Sequence, residues 1–124
     1  MIKVLIVEDS AVVQQFLVYV LSSDPEIRVI GTTNNGEEAL EFLKQEKPDV
    51  IILDVMMPDI SGLEVLRYMR REPSLLSIPV IVVSAKSMPG DIKIGFEAGA
   101  SMYLTKPVGF LELKQAVEKV LQKV

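Results

Sequence analysis

The chain has 124 residues, no cysteine, no histidine, and 17 acidic against 13 basic side chains, for a net charge of −4. That length suits one domain without disulfide or zinc staples, and the missing residue types exclude disulfides, thiolate or imidazole metal sites, a thiol nucleophile, a Ser-His-Asp triad and a phosphohistidine on this chain. With no basic run longer than Arg70 and Arg71 and no apolar stretch long enough for a membrane span, a soluble, cytoplasmic protein is expected, with no direct contact to nucleic acid or membrane.

Residues 4–7 read as a buried strand ending in Glu8 and Asp9. Ser10 then suits the cap of a helix whose apolar residues Val13, Phe16, Leu17, Val20 and Leu21 recur on one face, until Asp24 and Pro25 stop it. Ile27, Val29 and Ile30 make a short second strand closed by Gly31. Asn35 and Gly36 open a second helix with Ala39, Leu40 and Leu43 inward, which must end before Pro48.

The stretch VIILDVMMPD at residues 50–59 organises the rest. Its four apolar residues are too few for a helix and show no polar alternation, so they read as a parallel strand buried on both faces. Asp54 then sits at the C-terminal lip, where open α/β sheets bind ligands. After breaks at Pro58 and Gly62, a third helix starts at Ser61 or Gly62 with Leu63, Leu66, Met69 and Val65 inward, and Pro73 ends it.

Residues 79–83 form a fourth strand that delivers Ser84 to its end. Ser87 and Pro89 suit the start of a fourth helix; Gly90 and Gly95 each cost it up to ~1 kcal/mol relative to Ala, and Gly99 ends it. Residues 102–104 make a fifth strand leading to Thr105, Lys106 and Pro107, and a last helix carries Leu113, Val117, Val120 and Leu121 on one stripe out to Val124. Strand and helix alternate five times with short connections. This predicts one α/β domain over residues 1–124, a doubly wound parallel sheet with right-handed crossovers and helices on both faces, and no second output domain in the chain. Phe16, Phe96 and Phe110 read as core or helix-packing aromatics, and Met57 as a loop residue that plugs the core. Lys86, Asp49 and Asp59 read as solvated charges.

The chemically capable residues fall at equivalent places. Glu8 and Asp9 follow strand one, Asp54 ends strand three, Ser84 ends strand four and Lys106 follows strand five. If strands one and three are neighbours, three carboxylates share a crevice. At ~4 Å and an effective dielectric near 20, each like-charged pair repels by about 4 kcal/mol. Raised carboxyl pKa values or a hard divalent cation would relieve this, and an all-oxygen donor set favours Mg²⁺ over zinc or copper. A cation beside Asp54 with Lys106 opposite also suits phosphoryl transfer to a carboxylate oxygen.

VEDS at residues 7–10, LDVMMP at 53–58, VVSA at 82–85, and EAGA with YLTKP between residues 97 and 107 resemble the receiver domain of two-component response regulators, in order and across essentially the whole chain. The resemblance implies a flavodoxin-like sheet with strand order 2-1-3-4-5. It implies Asp54 as phosphoacceptor and Glu8, Asp9, Asp54 and the Met56 backbone carbonyl as Mg²⁺ ligands. Lys106 would contact the phosphoryl group, with Ser84 and Tyr103 as the switch pair, and the Lys106–Pro107 peptide would be cis. The implied partners are a sensor histidine kinase or phosphotransfer protein, then a downstream protein or output domain, with possible homodimerisation through the face of helix four, strand five and helix five. The receiver itself would act as a signalling domain, its chemistry limited to its own phosphorylation and dephosphorylation.

Three other readings compete. A haloacid-dehalogenase-type phosphohydrolase wants a second Asp two residues after the nucleophile, where this chain has Met56. A flavodoxin-like mononucleotide binder wants a Ser/Thr/Gly-rich loop after the first strand, where Glu8 and Asp9 stand. A degenerate receiver would lack part of an acid set that is complete here.

Overall fold

The computed structural model describes residues 1–57 and 60–121; the expectations for Pro58, Asp59 and the end of the last helix lie outside them. Strands β1 (Ile2–Val7), β2 (Ile27–Thr33), β3 (Val50–Leu53), β4 (Val80–Ser84) and β5 (Met102–Thr105) alternate with helices α1 (Ala11–Ser22), α2 (Gly36–Gln45), α3 (Gly62–Arg71), α4 (Pro89–Ala98) and α5 (Phe110–Leu121). All the strand pairings are parallel and the order is β2-β1-β3-β4-β5. This is the flavodoxin-like doubly wound fold.

The central strands lack polar alternation because both faces are covered. Leu5, Val7, Ile51, Leu53, Val80 and Val82 pack with residues of α2, α3 and α4. Their chain neighbours Val4, Ile6, Val50, Ile52, Ile81 and Val83 pack with residues of α1 and α5. A period of two thus splits one apolar run between two cores.

Local signals explain the helix starts. Ser10 Oγ accepts from Val13 N–H, Asn35 Oδ1 from Glu38 N–H and Ser61 Oγ from Glu64 N–H, each relieving one orphan donor of a first turn. The start of α4 has no such side-chain bond: Met88 occupies the cap, and Pro89 supplies only a preset φ. Gly99 closes α4 at φ 117°, a left-handed conformation that glycine adopts without a Cβ penalty.

Several sequence expectations need correction. β2 does not stop at Gly31 but runs to Thr33, after a register shift opposite Val4 and Leu5; the missing Cβ of Gly31 leaves room for the Phe42 ring. β4 begins at Val80, and Pro79 contributes only its carbonyl, which accepts from Ile51 N–H at 3.1 Å. The α3 expectation holds: Val65, Leu66 and Met69 are fully buried, and Leu63 packs half-buried against the same core. Phe16, Phe96 and Phe110 are not core residues, being 40%, 48% and 39% exposed. In α1 the buried stripe is Leu17, Val20 and Leu21, and Phe16 stands about 100° around the helix from Leu17.

The two interior glycines of α4 differ. A Cβ on Gly90 would meet nothing within 4 Å, whereas one on Gly95 would come within 2.7 Å of the Tyr103 ring. Gly90→Ala should therefore stabilise the protein by about 0.4–1 kcal/mol. Gly95→Ala should give no such gain and should displace the ring; denaturant melts and the Tyr103 ring resonances check both.

Candidate functional site

Sheet register builds the site. β1 and β3 pair with Val7 opposite Leu53, so Glu8 and Asp54 leave adjacent parallel strands side by side. Glu8 is 1% and Asp54 3% exposed, while Asp9 faces solvent. One carboxylate oxygen from each of the three lies within 4.8 Å of the others. Lys106 reaches across from the end of β5, with Nζ 3.0 Å from Glu8 Oε1 and 3.6 Å from Asp54 Oδ2.

Backbone donors fix the two buried acids. Ser10 N–H donates to Glu8 Oε2 at 3.1 Å and Met56 N–H to Asp54 Oδ1 at 3.0 Å. Burial raises the Asp54 pKa to about 7 from 3.8, with the Glu8 charge adding to the rise and the Met56 N–H and Lys106 opposing it. α3 packs directly on this backbone: a Cβ on Gly62 would lie 2.2 Å from the Asp54 carbonyl oxygen.

The donor set suits a hard divalent cation. Three convergent carboxylates offer oxygen ligands, and the buried Glu8 Oε1 makes no hydrogen bond, its approach to Lys106 being an ion contact without hydrogen-bond geometry. Met56, whose carbonyl is the expected fourth donor, is the residue whose N–H holds Asp54.

Ser84 is fully buried at the end of β4, and its Oγ accepts from Lys86 N–H at 3.1 Å. Tyr103 lies half-buried on the edge strand β5, and its hydroxyl donates to the Lys86 carbonyl at 2.8 Å. Both residues of the expected switch pair therefore hold the same residue from opposite ends. The Lys86 side chain is exposed, in keeping with its reading as a solvated charge, but its backbone is the bridge. Nothing in the side-chain pattern announces that. Lys106 N–H donates to the Ser84 carbonyl at 2.8 Å, and the Lys106–Pro107 peptide is cis. Met57 packs against the core as expected, while Met56 is exposed.

Fold and crevice together define a doubly wound α/β domain with a lysine-bridged acidic cluster at the C-terminal edge of its sheet. A family model described as the response regulator receiver domain matches residues 4–118. A protein-glutamate methylesterase/protein-glutamine glutaminase of Nitrosospira multiformis is 42% identical over 113 residues, which are 88% of this chain and 31% of that protein. Among solved structures, a putative response regulator from Chloroflexus aurantiacus superposes with a TM-score of 0.92 at 33% identity, covering 98% of each chain. The response regulator domain of Thermotoga maritima CheB gives 0.83 at 32%, covering 97% of this chain and 93% of that one. The chain belongs to the response regulator receiver domain family, the CheY-like signalling domains of two-component systems. It spans about a third of the length of the methylesterases it matches. Among the described residues no helix is long and apolar enough to cross a membrane.

Proposed function

We propose that residues 1–124 act as a cytoplasmic receiver in which Asp54 takes a phosphoryl group from a phosphohistidine of a sensor kinase or phosphotransfer protein, with Mg²⁺ held by Glu8, Asp9, Asp54 and the Met56 carbonyl. The observation that carries this reading is the buried Glu8–Asp54 pair with Lys106 Nζ between them at the sheet edge. The cation, when bound, neutralises charge on the phosphoryl oxygens and on the carboxylates around them. Asp54 supplies the attacking carboxylate oxygen; as the O–P bond forms, the N–P bond of the donor histidine breaks and the electron pair returns to its imidazole. The Met56 N–H orients the Asp54 carboxylate, and the Lys106 ammonium, already 3.6 Å from Asp54 Oδ2, pairs with a phosphoryl oxygen. The similarity to methylesterases concerns the part of their length this chain spans, and with no histidine the chain holds no Ser-His-Asp triad. We therefore read it as a regulatory domain with no enzymatic output of its own.

The same reading extends to the switch. A phosphoryl group on Asp54 adds acceptor oxygens that Ser84 can serve, and moving Ser84 Oγ releases the Lys86 N–H it now accepts from. The other end of Lys86 is held by Tyr103, whose ring lies against Gly95 of α4. α4, without an N-terminal side-chain cap, also exposes Met88, Ile94 and Phe96, an apolar surface suited to a downstream protein or a second copy. Phosphorylation then biases two arrangements of this face. Beryllofluoride with Mg²⁺, which mimics the aspartyl phosphate, should shift amide resonances from residue 84 through residue 103 in the wild type and not in Asp54→Asn. Shifts confined to the loops around Asp54 would refute the coupling.

A further inference from the structure

We propose that Gln14 is a positioning residue for the acidic crevice, holding the β1–α1 loop so that Glu8 and Asp9 converge on Asp54. The inference rests on the metal-binding reading above. Gln14 lies half-buried in the second turn of α1. Its Nε2 is 3.1 Å from the Glu8 carbonyl, 3.1 Å from Asn34 Oδ1 and 3.5 Å from the Thr33 carbonyl. Two of these are backbone carbonyls, so only a donor satisfies the position, and the two N–H groups of one carboxamide serve all three acceptors.

This amide adds a side-chain link between two loops that the backbone joins through the bond from Glu8 N–H to the Thr33 carbonyl. On the acid side, Glu8 N–H donates to the Thr33 carbonyl at 3.0 Å, the Glu8 carboxylate accepts from Ser10 N–H, and Gln14 N–H donates to the Ser10 carbonyl at 2.9 Å. On the other side, Asn34 N–H donates to Glu38 Oε1 at 2.9 Å, and Glu38 N–H donates to the Asn35 cap of α2 at 2.8 Å. A continuous hydrogen-bonded path thus runs from the Glu8 carbonyl through Gln14 and Asn34 to the first turn of α2. Like charges at Glu8, Asp9 and Asp54 push the loop outward, and the backbone of Glu8 is where Gln14 resists that push. Outer residues that orient metal ligands typically change metal affinity by 10–100-fold when removed.

The test is Mg²⁺ affinity, followed through the Asp9 and Ser10 amide resonances at pH 7.5 and 0.15 M salt. It compares wild type with Gln14→Met, which keeps length and loses the donor, and Gln14→Glu, which turns an acceptor toward acceptors while adding negative charge. Circular dichroism in EDTA establishes that each variant is folded, and Gln14→Ala replaces Gln14→Met should the latter not be. Both variants should bind Mg²⁺ at least about 10-fold more weakly than wild type. A purely electrostatic role would make Gln14→Glu bind more tightly, and that result overturns the inference. So does a Gln14→Met affinity within two-fold of wild type, which would leave the receiver reading intact. Failure of the wild type itself to take up Mg²⁺ would instead overturn the metal-binding reading and this inference with it.

Discussion

In EDTA, wild-type protein should lose stability as pH rises from about 4 to about 7, and Asp54→Asn should not share that loss. Asp54 has its pKa raised to about 7 in the folded chain, against 3.8 as the ordinary value. Between those values the folded state keeps a proton that the unfolded state has released, so stability falls with rising pH and levels off above 7. The difference corresponds to roughly 4 kcal/mol. Asn keeps the oxygen that accepts from Met56 N–H and removes the titration, so the difference between the two curves reports this carboxyl together with its interaction with the neighbouring Glu8. Near pH 7.5 without metal, Asp54→Asn should accordingly be the more stable protein. Adding Mg²⁺ should raise wild-type stability there, because a ligand bound only by the folded state shifts the equilibrium in its favour, and should do less for the variant. Urea melts across this pH range check the claim. Parallel curves for the two proteins would show that Asp54 is not desolvated.

The arrangement of the site is legible in the sequence because parallel strands deliver their next residues to one edge. Once residues 4–7 and 50–53 read as neighbouring strands, Glu8 and Asp54 must lie side by side, and the observed pairing of Val7 with Leu53 places them so. Helix starts at Ser10, Asn35 and Ser61 are legible for a similar reason, since capping is a local contact. Contacts between segments distant in sequence leave no such trace. Gly31 reads as a strand terminator but lies inside β2, because the ring that needs its missing Cβ comes from Phe42 in the next helix. Gly95 reads as a weakness of α4, whereas the contact that uses it is with Tyr103 on β5. Lys86 acts through its backbone, which side-chain chemistry does not predict. Gln14 falls between the apolar positions of α1, and nothing in that spacing places it beside the end of β2. Phe16 falls outside the buried stripe because a helical stripe has no sharp edge, and one residue of rotation separates the buried Leu17 from the exposed Phe16.

The largest effect is expected at Asp54, the proposed phosphoacceptor. A receiver supplies the nucleophile, the lysine and the metal ligands itself, so a small phosphodonor such as acetyl phosphate should suffice in place of a kinase. Among the three clustered carboxylates, Asp54 combines burial, a Met56 N–H that orients one oxygen and Lys106 beside the other. Glu8 is equally buried, but one oxygen is held by Ser10 N–H and the other faces Lys106 at 3.0 Å, which suits it to hold charge and not to attack. Asp9 is exposed and has no comparable enclosure. Replacing Asp54 by Asn should therefore abolish labelling, and chelating Mg²⁺ should reduce it strongly in the wild type. Intact-mass spectrometry of wild type and Asp54→Asn after acetyl phosphate with Mg²⁺ is the most direct measurement. One added phosphoryl group on the wild type and none on Asp54→Asn is the predicted result; equal labelling of the two proteins would contradict it.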